Sequence, residues 1–202
     1  TDSEVIIHLY EEEGIDCLKK LNGMFAFCIW DESLQKLWLC RDRLGIKPLV
    51  YYWDGETLIF SSEIKGILCD SDIRKEIDWT AFNLYLTFNY IPAPKTIFKN
   101  IRKLEAGHYL LAERKTVVTS KYWDINTDIT HLQDKPEGSS GQIGFYKERL
   151  YELVENAVQK RMISDVQLGA FLSGGIDSSI IVGLMARNSE RPVKTFSIGY
   201  KD

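Results

Sequence analysis

The sequence predicts a fold in two parts, an α+β sandwich of antiparallel sheets followed by the start of an α/β unit with a parallel sheet. The first part is indicated by two aromatic-rich hairpin patterns at residues 24–42 and 49–62, whose strands are apolar at nearly every position. Such strands are typically covered on both faces. The second part is indicated by a buried strand pattern at 166–172 that runs through a glycine-rich loop into a helix.

The N-terminal half places a helix before the hairpins. Apolar spacing predicts this helix over residues 4–20, interrupted at Gly14 and preceded by the N-cap candidate Asp2. In the second hairpin, the pair Asp54-Gly55 between two apolar runs is a strong signal for a tight turn. Because the strands lack a polar face, we expect layered sheets with helices outside them.

The C-terminal half is less uniform. Its patterns predict a helix at 79–88, a short hairpin within 96–123 and a polar, glycine-rich linker at 127–144. An amphipathic helix at 145–162 follows, and we expect its apolar face to pack on the sheet that carries the glycine-rich loop. An apolar strand is predicted at 193–198.

Composition excludes several classes of protein. The 202 residues are 45% hydrophobic and 12% aromatic, which argues against disorder, and the net charge of −4 gives no electrostatic reason to bind nucleic acid. No apolar run reaches the length of a membrane span. The cysteines are dispersed and the histidines are isolated, so we expect no zinc site and reduced core thiols in a cytoplasmic protein. The four cysteines are Cys17, Cys28, Cys40 and Cys69.

The glycine-rich loop at 173–178 has the features of an anion site. A strand that enters a helix through such a loop presents free backbone N–H groups at the helix N-terminus. The two glycines leave no Cβ in the way of a phosphate, while hydroxyl donors come from Ser173, Ser178 and Ser179. Asp177 would repel a phosphate unless a cation lay between them, so the loop also predicts Mg²⁺.

Other glycine-rich motifs do not fit these residues. No lysine follows the glycines, as the nucleoside-triphosphatase loop requires, and Phe171 stands where the hydrolase elbow has its first glycine. The pattern Ser-Gly-Gly-x-Asp-Ser instead resembles the pyrophosphate-binding loop of the ATP pyrophosphatases. A plain serine-glycine turn between two core elements is the simpler alternative.

A second resemblance covers the N-terminal part. Residues 21–27, 41–49 and 61–65 are similar to the rear half of a class II glutamine amidotransferase domain, which has the N-terminal-nucleophile fold. From composition alone, 41–49 would be a connecting loop with an ion pair. Together with 173–178, the order of these segments resembles the glutamine-hydrolysing asparagine synthetase family.

The resemblance implies a set of binding residues. Family members hydrolyse glutamine at an N-terminal cysteine and use the ammonia, with ATP and Mg²⁺, to convert aspartate to asparagine. Asp2 matches the carboxylate that binds the glutamine α-amino group, and Asp177 matches a magnesium ligand. No catalytic residue is assigned, because none of the four cysteines matches the nucleophile. The implied ATP-binding residues are Leu172, Ser173, Gly174, Gly175, Asp177, Ser178 and Ile198.

The resemblance also implies a domain arrangement. It places the C-terminal part of the glutaminase domain at 1–72, a connecting segment and linker at 73–144, and the N-terminal part of the synthetase domain at 145–202. We expect a fragment of an enzyme that is inactive in isolation, with glutamine, aspartate and ATP as small-molecule partners and a homodimer as one assembly. Two alternatives stay open: a related amidotransferase or β-lactam-forming synthetase with another acceptor, and a non-catalytic ATP-binding remnant.

Overall fold

The computed structural model describes residues 2–125 and 139–199. The chain divides into two compact units, unit 1 over residues 1–130 and unit 2 over residues 131–202. Most of the predicted linker, 127–138, lies outside the described residues.

Unit 1 contains three helices, a 3₁₀ turn and seven strands within its described residues. The predicted interruption of the first helix is confirmed: the α-helix ends before Gly14, which has φ +60°, and a 3₁₀ helix continues over Gly14–Lys19. The elements are α1 Asp2–Glu13, β1 Ala26–Asp31, β2 Lys36–Arg41, β3 Val50–Trp53, β4 Leu58–Ser61, α2 Ile64–Ile67, α3 Trp79–Phe88, β5 Ile101–Lys103, β6 His108–Glu113 and β7 Thr116–Lys121.

The strands of unit 1 form two antiparallel sheets, in the orders β1-β2-β6-β7 and β4-β3-β5. All three predicted hairpins are present, as the pairs β1–β2, β3–β4 and β6–β7. The first two hairpins belong to different sheets. Strands β5–β7 lie in the range 73–144, yet they pair with β2 and β3 and so extend both sheets.

The layers of unit 1 follow from its buried side chains. Between the sheets, Leu39 of β2 and Leu110 of β6 cluster with Tyr51 of β3. The outer face of the larger sheet meets the 3₁₀ helix through Leu18, and the outer face of the smaller sheet meets α2 through Ile67. The order is therefore helix, sheet, sheet, helix, as the apolar strands predicted.

Unit 2 contains two helices and two parallel strands within its described residues. Its elements are α4 Ser139–Met162, β8 Gly169–Phe171, α5 Ile176–Arg187 and β9 Lys194–Phe196. The predicted order of strand, loop and helix is confirmed, and β8 pairs with β9 in parallel. Val158 of α4 packs against Leu184 and Met185 of α5, with Ala170 of β8 at the edge of this cluster.

Two expectations for unit 2 were wrong. The strand expected over 166–172 as a buried element is only three residues long, and Phe171 is 75% exposed because no described residue covers that face of the strand pair. Residues 139–144, expected in the linker, belong to α4. A helix nucleated over 145–162 can extend at its end, because each added residue contributes a backbone hydrogen bond without a new nucleation cost.

Candidate functional site

Unit 1 contains a cleft of about 490 Å³, a size typical of small-molecule sites. The first two turns of α1 line it through Ser3 and Ile6, and residues 21–27, which lead into β1, form another wall. Lys47-Pro48 and Ser62 complete the described lining. Helix α1 begins at Asp2, next to Ser3, so the residue matched to glutamine binding starts the helix that lines this cleft. The role of Asp2 in binding glutamine stays a prediction.

The loop after β2 is built around a buried carboxylate. Asp42 is 1% exposed, and its oxygens accept four backbone hydrogen bonds at 2.9–3.3 Å. The ion pair considered for this loop is replaced by a ring of N–H donors, which stabilise the charged form of a buried carboxylate. The donors are the N–H groups of Phe25, Leu44, Ile46 and Lys47.

Arg41 stabilises the same loop by donating hydrogen bonds to backbone carbonyl groups. Its Nε donates to the Lys47 carbonyl and its Nη2 to the Gly45 carbonyl, both at 2.8 Å, while Nη1 donates to Leu104. Burial lowers the pKa of Arg41, and the charge of Asp42 opposes that shift. Gly45 has φ +65°, and a Cβ there would lie 3.1 Å from Arg41 Cζ. The loop therefore requires glycine at this position.

In unit 2 the glycine loop connects the end of β8 to the start of α5. Gly174 has φ +84°, and a Cβ added to it would have no atom within 4 Å, while Gly175 precedes the first helical residue with an extended backbone. The Leu172 N–H donates to the Phe196 carbonyl at 2.8 Å. Leu172 and Ile198 thus follow the carboxyl ends of two paired parallel strands, the edge at which open α/β sheets bind ligands.

Serine hydroxyls form hydrogen bonds within the glycine loop of unit 2. The Oγ atoms of Ser173 and Ser178 lie 3.1 Å apart, and Ser178 Oγ donates to the Gly175 carbonyl at 3.0 Å. Ser179, expected to add a hydroxyl donor for a ligand, donates to the same carbonyl at 2.8 Å. Sequence reasoning missed Ser197, which donates to the Leu172 carbonyl at 2.6 Å. The only signal for Ser197 in the sequence is its position near the end of the strand predicted at 193–198.

Asp177 lies in the first turn of α5 with its side chain exposed. Within residues 2–125 and 139–199 it has no hydrogen bond or ion pair, and those residues contain no cluster of three metal-binding side chains. Mg²⁺ is usually held by one or two carboxylates together with phosphates and water. A single exposed carboxylate beside the glycine loop is therefore compatible with a magnesium ion that takes its other ligands from phosphate and water.

The four cysteines differ in their exposure to solvent. All four are free thiols, and the expectation of core residues holds for Cys17 and Cys40, whereas Cys28 and Cys69 are exposed. Burial raises the pKa of Cys17 and Cys40, which keeps these two thiols protonated and weakly reactive. Cys28 departs from the prediction because it lies on β1, the edge strand of its sheet, and Cys69 because it lies in the turn that follows α2. None of the helices in the described part of the chain is long and apolar enough to cross a membrane.

In a comparison with known proteins, two different family models match the N-terminal and the C-terminal parts of the chain. The family model for the glutamine amidotransferase domain matches residues 1–123, and the model for asparagine synthase matches residues 149–202. A putative glutamine-hydrolysing asparagine synthetase 2 from Methanocaldococcus jannaschii is 44% identical over 100% of this chain and 38% of the relative. Asparagine synthetase (glutamine-hydrolysing) 3 from Bacillus subtilis is 34% identical over 100% of this chain and 32% of the relative.

Among solved structures, glutamine phosphoribosylpyrophosphate amidotransferase from Bacillus subtilis matches with a TM-score of 0.40 and 16% identity, over 98% of this chain and 39% of that chain. The chain thus spans between about a third and two fifths of the length of the relatives it matches. The chain belongs to the glutamine amidotransferase domain family, and along its whole length it is similar to glutamine-hydrolysing asparagine synthetases.

Proposed function

We propose that this chain is part of an ATP-dependent asparagine synthetase that uses glutamine as its ammonia source. The overall reaction converts aspartate, glutamine and ATP to asparagine, glutamate, AMP and pyrophosphate. The observation that carries the proposal is the order of two matched domains along one chain, a glutamine amidotransferase domain followed by an asparagine synthase domain. Because the chain covers only part of its relatives, the activity of the whole protein is inferred from them.

Unit 1 would supply part of the glutamine-binding cleft. In this proposal the Asp2 carboxylate binds the α-amino group of glutamine, and the Asp42 loop holds one wall of the cleft in place. Hydrolysis of the side-chain amide releases ammonia and leaves glutamate. The nucleophilic cysteine of the family is not assigned to any cysteine of this chain.

Unit 2 would bind ATP at the carboxyl edge of β8 and β9. The backbones of Leu172 and Ile198 would contact the adenosine, and the loop 173–178 would hold the pyrophosphate portion through backbone N–H groups and hydroxyls. Asp177 would hold Mg²⁺, which supplies charge neutralisation for the phosphates. Support comes from the open space at Gly174 and from the exposed carboxylate of Asp177, which has no partner among the residues that the structure describes.

The chemistry at this edge proceeds in two displacements. A β-carboxylate oxygen of aspartate attacks the α-phosphorus of ATP, and pyrophosphate leaves. Ammonia then attacks the activated carbonyl carbon, AMP leaves and asparagine is released after loss of a proton. Adenylation converts a poor leaving oxide into a good one. The proposed location is the cytoplasm, supported by four unpaired thiols, and a homodimer is the proposed assembly.

The test is the substitution Asp177→Ala, made in the native polypeptide. Pyrophosphate release with ATP, aspartate and ammonia should fall by at least about 100-fold, because charge neutralisation of the phosphates is lost, while glutamine hydrolysis should change less than about twofold. Asp165→Ala is the matched control, since Asp165 is another exposed carboxylate of unit 2 and lies before β8. Pyrophosphate formation and glutamate formation are measured separately.

Two results would contradict the proposal. Equal loss of both activities in Asp177→Ala would mean that the two reactions do not use separate sites. Absence of aspartate-dependent pyrophosphate release from the native protein, with ATP and ammonia saturating, would exclude aspartate as the acceptor.

A further inference from the structure

The serine hydroxyl directly after β9 occupies a place that a backbone amide would take in a regular parallel sheet. We infer that Ser197 is a positioning residue for ATP, because its hydroxyl leaves the N–H of Ile198 available to the nucleotide. The inference rests on the proposed function, in which the backbones of Leu172 and Ile198 contact the adenosine. Ser197 acts in it through the backbone of its neighbours and not through a contact with ATP.

The register of the two strands identifies the amide that is replaced. Phe171 lies opposite Phe196, and the next residue along β8, Leu172, donates its N–H to the Phe196 carbonyl at 2.8 Å. In a parallel ladder, a residue that donates to one position of the neighbouring strand accepts from the residue two positions further along that strand. The Leu172 carbonyl would therefore accept from the N–H of Ile198, and the ladder would extend by one hydrogen bond.

Ser197 interrupts this continuation. Its Oγ donates to the Leu172 carbonyl at 2.6 Å, a normal length for a hydroxyl hydrogen bond. Serine side chains can compete in this way with the hydrogen bonds of regular secondary structure. Among residues 2–125 and 139–199, the N–H of Ile198 donates to no backbone carbonyl, and Ile198 is 77% exposed. The strand carbonyl is thus satisfied without the amide that would otherwise pair with it.

The released donor lies at the sheet edge where the nucleotide is proposed to bind. Adenosine presents acceptors in its ring nitrogens and ribose oxygens, and an amide N–H already paired within a sheet could not donate to any of them. A donor fixed by the backbone also costs little conformational entropy when it binds a ligand. Because the hydroxyl hydrogen bond replaces the ladder hydrogen bond, the two strand ends stay joined while the N–H is released.

The first test needs no ligand. In Ser197→Ala the Leu172 carbonyl loses its donor, so the N–H of Ile198 should pair with it. Exchange of the Ile198 amide should then be about 3- to 10-fold slower than in the wild type, in residue-resolved hydrogen–deuterium exchange of the native polypeptide. Ser197→Thr keeps a hydroxyl and should exchange like the wild type. Equal or faster exchange in Ser197→Ala overturns the inference.

The second test measures the dissociation constants of Mg-ATP, AMP and magnesium pyrophosphate in the same variants. Loss of the Ile198 donor in Ser197→Ala should raise the Kd of ATP and of AMP by the same factor, about 3- to 10-fold. The Kd of pyrophosphate, which has no adenosine, should not change, and Ser197→Thr should bind all three like the wild type. Ser189→Ala is the matched control, since Ser189 Oγ also donates to a backbone carbonyl, that of Arg191, but before β9.

The ligands separate positioning from a general structural role. Equal weakening of AMP and pyrophosphate in Ser197→Ala overturns the inference, since the hydroxyl would then support the strand pair and the adjoining glycine loop alike. Unchanged binding of ATP and AMP also overturns it. A wild-type protein that binds neither nucleotide contradicts the proposed function and, with it, a role of Ser197 toward ATP. The exchange rates distinguish that result from a hydroxyl that has no effect on the Ile198 amide.

Discussion

The loop that follows β2 forms one wall of the cleft in unit 1 and is held by hydrogen bonds to buried charged groups. The glycine loop of unit 2 is held mainly by hydrogen bonds within the loop. Asp42 is 1% exposed and receives four N–H donors from residues on both sides of β2. In unit 2 the serine hydroxyls bond to carbonyls within the loop and the adjoining strand. The first arrangement is set by long-range packing, and the second by local backbone geometry.

The surroundings of the two loops differ in the same way. Unit 1 has three clusters of buried apolar residues, which fill the space between and outside its sheets. The described part of unit 2 has one such cluster, and the side chains next to its loop are largely exposed, with Phe171 at 75% and Ile176 at 79%. Substitutions should therefore disturb unit 1 by breaking packing and unit 2 by altering the loop itself.

The largest effect is expected for Asp42→Asn. The amide keeps the volume of the side chain, but its NH₂ group would face N–H donors, so the free energy of unfolding of unit 1 should fall by about 3 kcal/mol or more. Hydrogen–deuterium exchange should rise across β1, β2 and β6 and stay unchanged in α4 and α5. The exposed Asp72 gives the control Asp72→Asn. A loss of stability no larger than that of this control would show that the ring of donors is not what holds the loop.

A smaller effect is expected when the same substitution is made in each unit. Gly107 has φ +66°, and a Cβ there would lie 2.6 Å from the carbonyl oxygen of Trp123, so Gly107→Ala adds a backbone clash to conformational strain. Gly174 has φ +84° and open space, so Gly174→Ala adds strain alone. We expect losses of about 3 and about 1–2 kcal/mol, measured by chemical denaturation. Equal losses would mean that the close approach at Gly107 is relieved by a small shift of the backbone.

The smallest effect has the opposite sign. Gly183 lies inside α5 with no atom within 4 Å of a Cβ position, and its backbone is helical. Gly183→Ala should therefore stabilise unit 2 by about 0.5–1 kcal/mol, because alanine has less backbone freedom to lose. The midpoint of thermal unfolding followed by circular dichroism measures this gain. A decrease would indicate that a neighbouring element occupies the space beside Gly183.

Local signals in the sequence were enough to predict the elements that local interactions stabilise. The Asp54-Gly55 turn forms as expected: Gly55 has φ +105°, and the Asp54 carboxylate accepts from the N–H groups of Glu56 and Thr57. Helix α3 also begins and ends where its sequence pattern predicted. In both cases the residues that determine the conformation lie within a few positions of one another.

Features that depend on distant partners could not be predicted in the same way. The Gly107 N–H donates to the Asp42 carbonyl at 2.9 Å, and the side chain of Asp42 accepts from Phe25, so burial of this residue joins three separated segments. No pattern around position 42 signals those partners. The exposure of β8 is the converse case, since its apolar residues predicted burial that no described element of unit 2 supplies. The roles of Asp2, Asp177 and the loop 173–178 stay predictions that the proposed experiments address.

The two units can also be told apart by their tryptophan fluorescence. All five tryptophans lie in unit 1, at positions 30, 38, 53, 79 and 123. Trp38 is buried, and its indole N–H donates to the Tyr10 hydroxyl at 2.9 Å, so its emission should shift to longer wavelength when the larger sheet opens. The aromatic side chains of unit 2 are phenylalanines and tyrosines, so selective excitation of indole would follow the melting of one unit while the other contributes no signal.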